Sequence, residues 1–409
     1  MRGRTVGAVA GALCALALAA CGSSDGSGDA TAGSSGGGSA TIGASLPMSG
    51  ALGPFGPQIQ EGYQRAIDEV NDAGGLQVGD GRVQVSLKVL DNKSDGNLAG
   101  QQARTLFLQD KAVALLGAVT PPLNIPMSNV AEQAKRPAVF TLTPIRAWLA
   151  ARPEGWTWSW LLFFDELQMT QLQFQAADRV ETNKRVALFT DTEEDGKVMG
   201  GLWEETAPKF GYEIVSRAEF PVGTTDYGKY IDAAEKAGAE VVIAQMIPPD
   251  AFALWKQMKA SGFQPKVAVC EKCANGGAWA QALGKLGEGT SVADWWSPDN
   301  GYPRAQEFLD TYSERFKGRS SEISIVVAAY SAAKVLLDAI ERAGSLEPDA
   351  INTALGETDG EYPIGPVKFG SDHTSAVEAV LTQWRGADTV QVYPPVEGVE
   401  LEAPVAGLR

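Results

Sequence analysis

The chain contains a single histidine, His373, among its 409 residues. Metal sites and catalytic schemes that need several imidazoles are therefore disfavoured, and no motif calls for a cofactor. Cysteine is nearly as scarce, with Cys14, Cys21, Cys270 and Cys273 the only four. Positive charge is short as well: 34 Lys and Arg face 50 Asp and Glu, a formal charge of −16. That balance argues against nucleic acid and anionic membrane surfaces as partners. No apolar run after Ala20 is long enough to cross a bilayer. A hydrolase nucleophile elbow is missing too. The one match to its pattern, Gly33-Ser34-Ser35-Gly36-Gly37, sits in a Gly/Ser stretch where neither the strand nor the helix such an elbow needs can form.

What is present begins at the N-terminus. Arg2 and Arg4 precede an almost unbroken apolar stretch from Val6 to Ala20, which stops at Leu18-Ala19-Ala20-Cys21. A charged start, a short apolar core and small residues before a cut site make a secretory signal over residues 1–20. The cysteine directly after Leu-Ala-Ala resembles the lipobox of bacterial lipoproteins. That resemblance implies that Cys21 becomes the lipidated first residue of the mature protein; ordinary secretion is the alternative. Residues 21–40 then read as the lipidated cysteine and a flexible tether, with a coil-like reach on the order of 25 Å.

The remainder is too long for one core and suggests two lobes. Strand and helix patterns alternate from Thr41 onward. Strands are expected at 41–46, 83–90, 113–117 and 138–143, with amphipathic helices at 56–73, 97–109 and 123–135 between them. A second series follows, with strands at 186–190, 214–220, 241–246 and 267–270 and helices between them. Alternation of this kind implies α/β architecture with two doubly wound parallel sheets. Residues 303–354 read as mostly helix, and 364–394 as short strands.

Several landmarks then fall in one order. Ala44-Ser45-Leu46-Pro47-Met48-Ser49-Gly50 precedes a helix that ends in Asn71-Asp72-Ala73-Gly74-Gly75. Asp91-Asn92 closes the second strand and Leu116-Gly117 the third. Ala187-Leu188-Phe189-Thr190-Asp191, Gly196 and Ile364-Gly365-Pro366-Val367-Lys368-Phe369 complete the set. Together they resemble the leucine/isoleucine/valine-binding family of solute-binding proteins that serve ABC importers. The resemblance implies a type 1 periplasmic-binding fold, with an N-terminal lobe of residues 41–162 and 295–360 and a C-terminal lobe of 163–294 and 361–409. Three hinge crossings are expected near Trp160–Phe164, Ala293–Ser297 and Glu361–Val367. The implied activity is non-enzymatic capture of a branched-chain or other hydrophobic amino acid, or an amino-acid-like molecule. Delivery goes to an ABC permease, with the membrane touched only through the lipid anchor and the protein acting as a monomer outside the cytoplasm. Amides or aromatic acids as solutes, and ligand sensing in place of transport, are the alternatives; a secreted hydrolase is disfavoured.

By the same resemblance the cleft residues are Ser49, Phe55, Thr120, Thr141 and Thr143 on the first lobe, and Asp195, Met246, Ile247 and Glu271 on the second. Hydroxyls near Thr120 and Thr143 would hold a carboxylate, although Pro121 and Pro122 lack the N–H groups that such a loop would otherwise offer. Glu271 would face the solute's ammonium, because a buried ammonium needs a charge partner. Asp195 is either a second anion in the cleft or a cap for the helix near Gly196. The aromatic patch of Trp148, Trp156, Trp158 and Trp160 is expected to brace a hinge or a lobe core. Outside the cytoplasm, Cys270-Glu271-Lys272-Cys273 favours a disulfide between the two cysteines over zinc, which wants four N or S donors.

Overall fold

The computed structural model describes residues 38–316 and 320–409. The signal segment, Cys21 and the Gly33–Gly37 match lie outside those residues. The first series of elements runs β1 (Ser39–Leu46), α1 (Gly56–Asp72), β2 (Leu76–Val78), β3 (Gly81–Asp91), α2 (Gly96–Leu108), β4 (Ala114–Leu116), α3 (Pro121–Ala134), β5 (Ala138–Phe140), α4 (Ile145–Ala150) and β6 (Ser159–Phe163). The second runs α5 (Glu166–Ala177), β7 (Arg185–Asp191), α6 (Glu194–Thr206), β8 (Glu213–Phe220), α7 (Gly228–Lys236), β9 (Val241–Gln245), α8 (Pro248–Ser261), β10 (Val267–Glu271), α9 (Ala278–Leu283) and β11 (Ser291–Asp294). The chain closes with α10 (Ala305–Ser313), α11 (Ser320–Ala343), α12 (Pro348–Gly356), the hairpin β12 (Asp359–Tyr362) and β13 (Gly365–Lys368), then β14 (Thr374–Ala376), β15 (Val380–Arg385) and β16 (Asp388–Tyr393).

Two seven-stranded sheets result, ordered β14-β6-β5-β4-β1-β3-β2 and β16-β15-β11-β10-β9-β7-β8. Their central strands pair in parallel, and helices cover them. Interior strands accordingly read as continuous apolar runs: every residue of β9 and of β10 is buried. The alternating pattern of β3 has the other cause, a position next to the edge strand β2. Helix starts follow local chemistry. The Asp95 carboxylate accepts from the Leu98 amide at 2.8 Å, and that of Asp165 from Leu167 at 2.8 Å.

Four expectations need correction. Strand β1 begins at Ser39, inside the expected tether, because Ser39 and Ala40 already pair with Gln84 and Val85. The third crossing is not at Glu361–Val367. Those residues turn back on themselves in the β12–β13 hairpin, and Tyr362 pairs with Gly365. The chain instead passes between sheets at 377–379, after β14 has paired in parallel with β6, Thr374 opposite Leu161. Residues 361–376 thus do not join the second sheet; β14 covers an otherwise open edge of the first. Finally, the segment Glu322–Ala343, with mean hydropathy 1.8 over its most apolar window, is long and apolar enough to cross a membrane. It is instead a core helix. Its buried face meets α1, where Ile59, Tyr63, Ala66 and Ile67 are fully enclosed.

Candidate ligand-binding cleft

The strand order in each sheet reverses beside its first strand, between β3 and β4 around β1 and between β8 and β9 around β7. Ligands of open parallel sheets bind in the crevice beyond the carboxyl ends of the strands at such points. A cleft lies there, with a cavity volume of about 40 Å³. From the first sheet come Phe55 before α1, Val119 and Thr120 after β4, Leu142 and Pro144 after β5, and Phe163 and Phe164 at the end of β6. From the second come Asp195 and Met199 on α6, Gln245 at the end of β9, Glu271 and Lys272 at the end of β10, and Trp295 after β11. Phe163 packs on Trp295 with ring centroids 4.6 Å apart, and the Trp295 indole N–H donates to the Ser324 carbonyl at 2.9 Å.

Four of the residues expected at the site line this cleft: Phe55, Thr120, Asp195 and Glu271. Five do not. Ser49 is exposed, and its hydroxyl donates to Asp91 at 2.7 Å. Thr143 is turned inward, its hydroxyl accepting from the Asn124 amide at 2.6 Å. Thr141 is buried without a hydrogen-bond partner for its hydroxyl. Met246 belongs to the core of the second lobe, and Ile247 is the capping residue ahead of α8. The tryptophans serve packing: Trp148 stacks on Trp156 at 4.7 Å, and Trp160 stacks on His373 at 3.6 Å.

Comparison with known proteins fits this architecture. The family model described as periplasmic binding protein matches residues 39–389, nearly the whole described chain. The chain belongs to the periplasmic binding protein family. Among its relatives is the Leu/Ile/Val-binding protein homolog 8 of Brucella abortus, 24% identical over 378 residues, with 86% of this chain and 90% of that protein covered. Two solved structures share the fold. The branched-chain amino acid transporter substrate binding protein LivJ from Streptococcus pneumoniae, in complex with isoleucine, matches with a TM-score of 0.75 at 22% identity, over 90% of this chain and 100% of that one. An ABC transporter solute binding protein from R. palustris, in complex with benzoate, matches with 0.73 at 18% identity, over 90% and 97%. Periplasmic binding proteins of ABC importers work outside the cytoplasm, and the relatives are named as binding proteins rather than enzymes.

In this periplasmic binding protein the wall of the second lobe carries a buried charge cluster. Lys272 Nζ lies 2.9 Å from Asp195 Oδ2 and 3.3 Å from Asp191 Oδ2, with the lysine side chain 8% exposed and the two aspartates at 1% and 0%. Burial works against the ammonium, but Asp195 and Asp191 outweigh it and hold the lysine pKa above its ordinary value. Asp191 is raised by burial, with Lys272 opposing. The amide of Gln245 donates to Asp195 Oδ2 at 3.0 Å. Asp195 is neither free nor the cap of α6. The helix starts at Glu194 with Glu193 in the cap position, and Asp195 stands in its first turn. Gly196 lets that turn approach β7: a Cβ there would sit 2.4 Å from the Asp191 carbonyl oxygen.

Glu271 is the other carboxyl of the wall. Its Oε2 accepts from Gln173 Nε2 at 3.0 Å, and Gln173 Oε1 in turn accepts from the Trp203 indole at 2.6 Å. Burial first, then the neighbouring Asp294 and Asp195, push its pKa up to about 8. Cys270 and Cys273 are bonded to each other, with Cα atoms 5.6 Å apart, and the ring they close contains Glu271 and Lys272.

Lys272, Gln245 and Trp295 were not anticipated from sequence. One signal was available: a lysine beside the expected ammonium-facing Glu271, two residues from a bridged cysteine. The backbone marks the site as well. Thr120 (φ 62°), Leu142 (φ 54°) and Lys272 (φ 62°) are three of the ten non-glycine residues with left-handed φ among the described residues. Strain of this kind concentrates where function fixes the chain. Among the described residues no group of His, Cys, Asp and Glu is arranged to hold a metal ion.

Proposed function

We propose that this protein is the solute receptor of an ABC importer, held at the outer face of the cytoplasmic membrane by lipid on Cys21. It captures a small molecule with an apolar body between its two lobes and presents it to the permease. The single observation that carries this reading is the cleft itself. It lies at the switch points of two facing sheets, with Phe55, Phe163, Phe164 and Trp295 forming an apolar wall around a few buried polar groups. Such a site binds and orients, and it offers no nucleophile with an attendant base. Phe55 and Trp295 would contact the body of the solute, and the polar groups at the ends of β4, β9 and β10 its head. The 163–166, 295–304 and 377–379 crossings would act as the hinges on which the lobes close.

Branched-chain and other hydrophobic amino acids are the first class to screen, given what the relatives are named for. Amides and aromatic acids follow. Thermal shift with such a panel tests the reading, because a solute that binds only the folded state raises the melting temperature. Phe55→Ala should abolish the shift of any hit. A hit unaffected by that change binds elsewhere and would overturn the assignment of the cleft. Anchoring is tested separately: Cys21→Ser should move the protein from the membrane fraction to the medium.

A further inference from the structure

The two walls of the cleft differ in what they leave unsatisfied. On the second lobe the carboxylates of Asp191 and Asp195 are already occupied by a cation that belongs to the chain, the Lys272 ammonium. An ammonium brought by a solute would have to displace it, leaving one of two buried cations without its partners. Glu271 does not fill that role either. Burial, with Asp294 and Asp195 beside it, disfavours the charged form of its carboxyl. On the first lobe the amides of Ala118, Thr120, Leu123 and Asn124, after β4, are already spent. Thr120 N–H donates to the Leu142 carbonyl at 2.8 Å, and the Leu123 and Asn124 N–H groups turn back to the Thr120 carbonyl. Ala118 N–H donates to Asn124 Oδ1 at 2.6 Å, and Pro121 and Pro122 have no N–H.

Two buried polar atoms on the cleft wall have no partner: Thr120 Oγ1 and Gln245 Oε1. Both residues are more than nine-tenths buried, at 4% and 1% exposure. The hydroxyl both donates and accepts, whereas the Gln245 oxygen only accepts. An orphaned buried polar atom calls for a complementary group.

Resting on the cleft as the solute site, we infer that the solute is uncharged and of the carboxamide class. Its apolar or aromatic body lies among Phe55, Phe163 and Trp295, its N–H meets Gln245 Oε1 and its carbonyl meets the Thr120 hydroxyl. Lys272 is a resident counter-ion that excludes solutes carrying their own ammonium.

Calorimetry on the mature protein with matched probes tests this. The set comprises benzamide and 3-methylbutanamide (neutral), benzoate and 3-methylbutanoate (anionic), benzylamine (cationic) and isoleucine (zwitterionic). Each amide should bind at least tenfold tighter than the acid or amine with the same body and tighter than isoleucine, and Thr120→Val should weaken amide binding at least tenfold. Lys272→Met should raise benzylamine affinity at least tenfold by freeing Asp191 and Asp195. Should that variant fail to fold, the comparison of probes and Thr120→Val decide alone. Isoleucine or a carboxylate binding as tightly as the amides, with the binding lost in Phe55→Ala, overturns the charge class and leaves the receptor reading standing. No probe binding at all overturns both, and unchanged amide affinity in Thr120→Val overturns the placement of the head group.

Discussion

Replacing Glu271 with glutamine isolates one buried proton. The carboxyl is fully enclosed, accepts from Gln173 at 3.0 Å, and has its pKa moved from 4.5 to about 8, first by burial and then by Asp294 and Asp195. A folded value above the unfolded one means that the folded chain binds the proton more tightly. The stability this confers is complete below the unfolded pKa and is lost as pH rises through the folded one. One unit of displacement corresponds to about 1.4 kcal/mol, so the move from 4.5 to about 8 amounts to about 5 kcal/mol. Asp294 and Glu166, each raised by burial to about 7, act in the same direction. The wild-type protein should therefore lose stability between about pH 5 and about pH 8.5. Glutamine keeps the volume and still accepts from Gln173, but it does not ionise. Urea unfolding of both proteins across that range should give a variant whose stability falls less, by roughly 2–4 kcal/mol. Parallel curves, or a wild type more stable at the alkaline end, would refute the argument from burial.

Three further outcomes can be measured. Cys270→Ser with Cys273→Ser opens a four-residue ring, for which loop-closure entropy gives a loss of about 2 kcal/mol; a chain as stable in reductant as without it contradicts the bridge, and solute affinity should fall with stability. Gly62→Ala in α1 places a Cβ 2.5 Å from the Val326 carbonyl oxygen and 2.7 Å from Ala329 Cβ on α11; thermal unfolding should show a loss of about 1–3 kcal/mol from overpacking, and an unchanged melting temperature contradicts the close approach of the two helices. Lys272→Met leaves two buried aspartates uncompensated and should cost about 3–5 kcal/mol, most of it restored by adding Asp195→Asn; a double variant no more stable than the single one contradicts the pairing.

Much of the fold was legible because parallel sheets write themselves as apolar runs, and helices as amphipathic ones. The stretches around Val186–Thr190 and Val241–Met246 needed no tertiary information to read as buried strands. Strand β14 was not legible, since three residues carry no periodicity and its pairing with β6 joins Thr374 to Leu161 across more than half the chain. The same limit governs the site. Phe55 and Glu271 could be placed from their positions at element ends. Whether a hydroxyl at a strand end points into the cleft depends on competing partners, and for Thr143 that partner is Asn124 near the start of α3. Lys272 in isolation reads as a surface lysine. Only the sheet order, with β9 pairing both β7 and β10, brings Asp191 and Asp195 to it, and no local pattern encodes that meeting.

Thr120, Leu142 and Lys272 are held in backbone conformations that side-chain-bearing residues avoid, on the facing walls of one cleft. Glycine at any of the three would relax the chain locally, yet it would also free the wall to drift. The cleft wall is thus shaped by the chain itself: part of the ordering that binding a small molecule would otherwise demand is completed during folding, at the expense of a less relaxed backbone. Selection for a sturdier protein and selection for a tighter grip would pull these three positions in opposite directions.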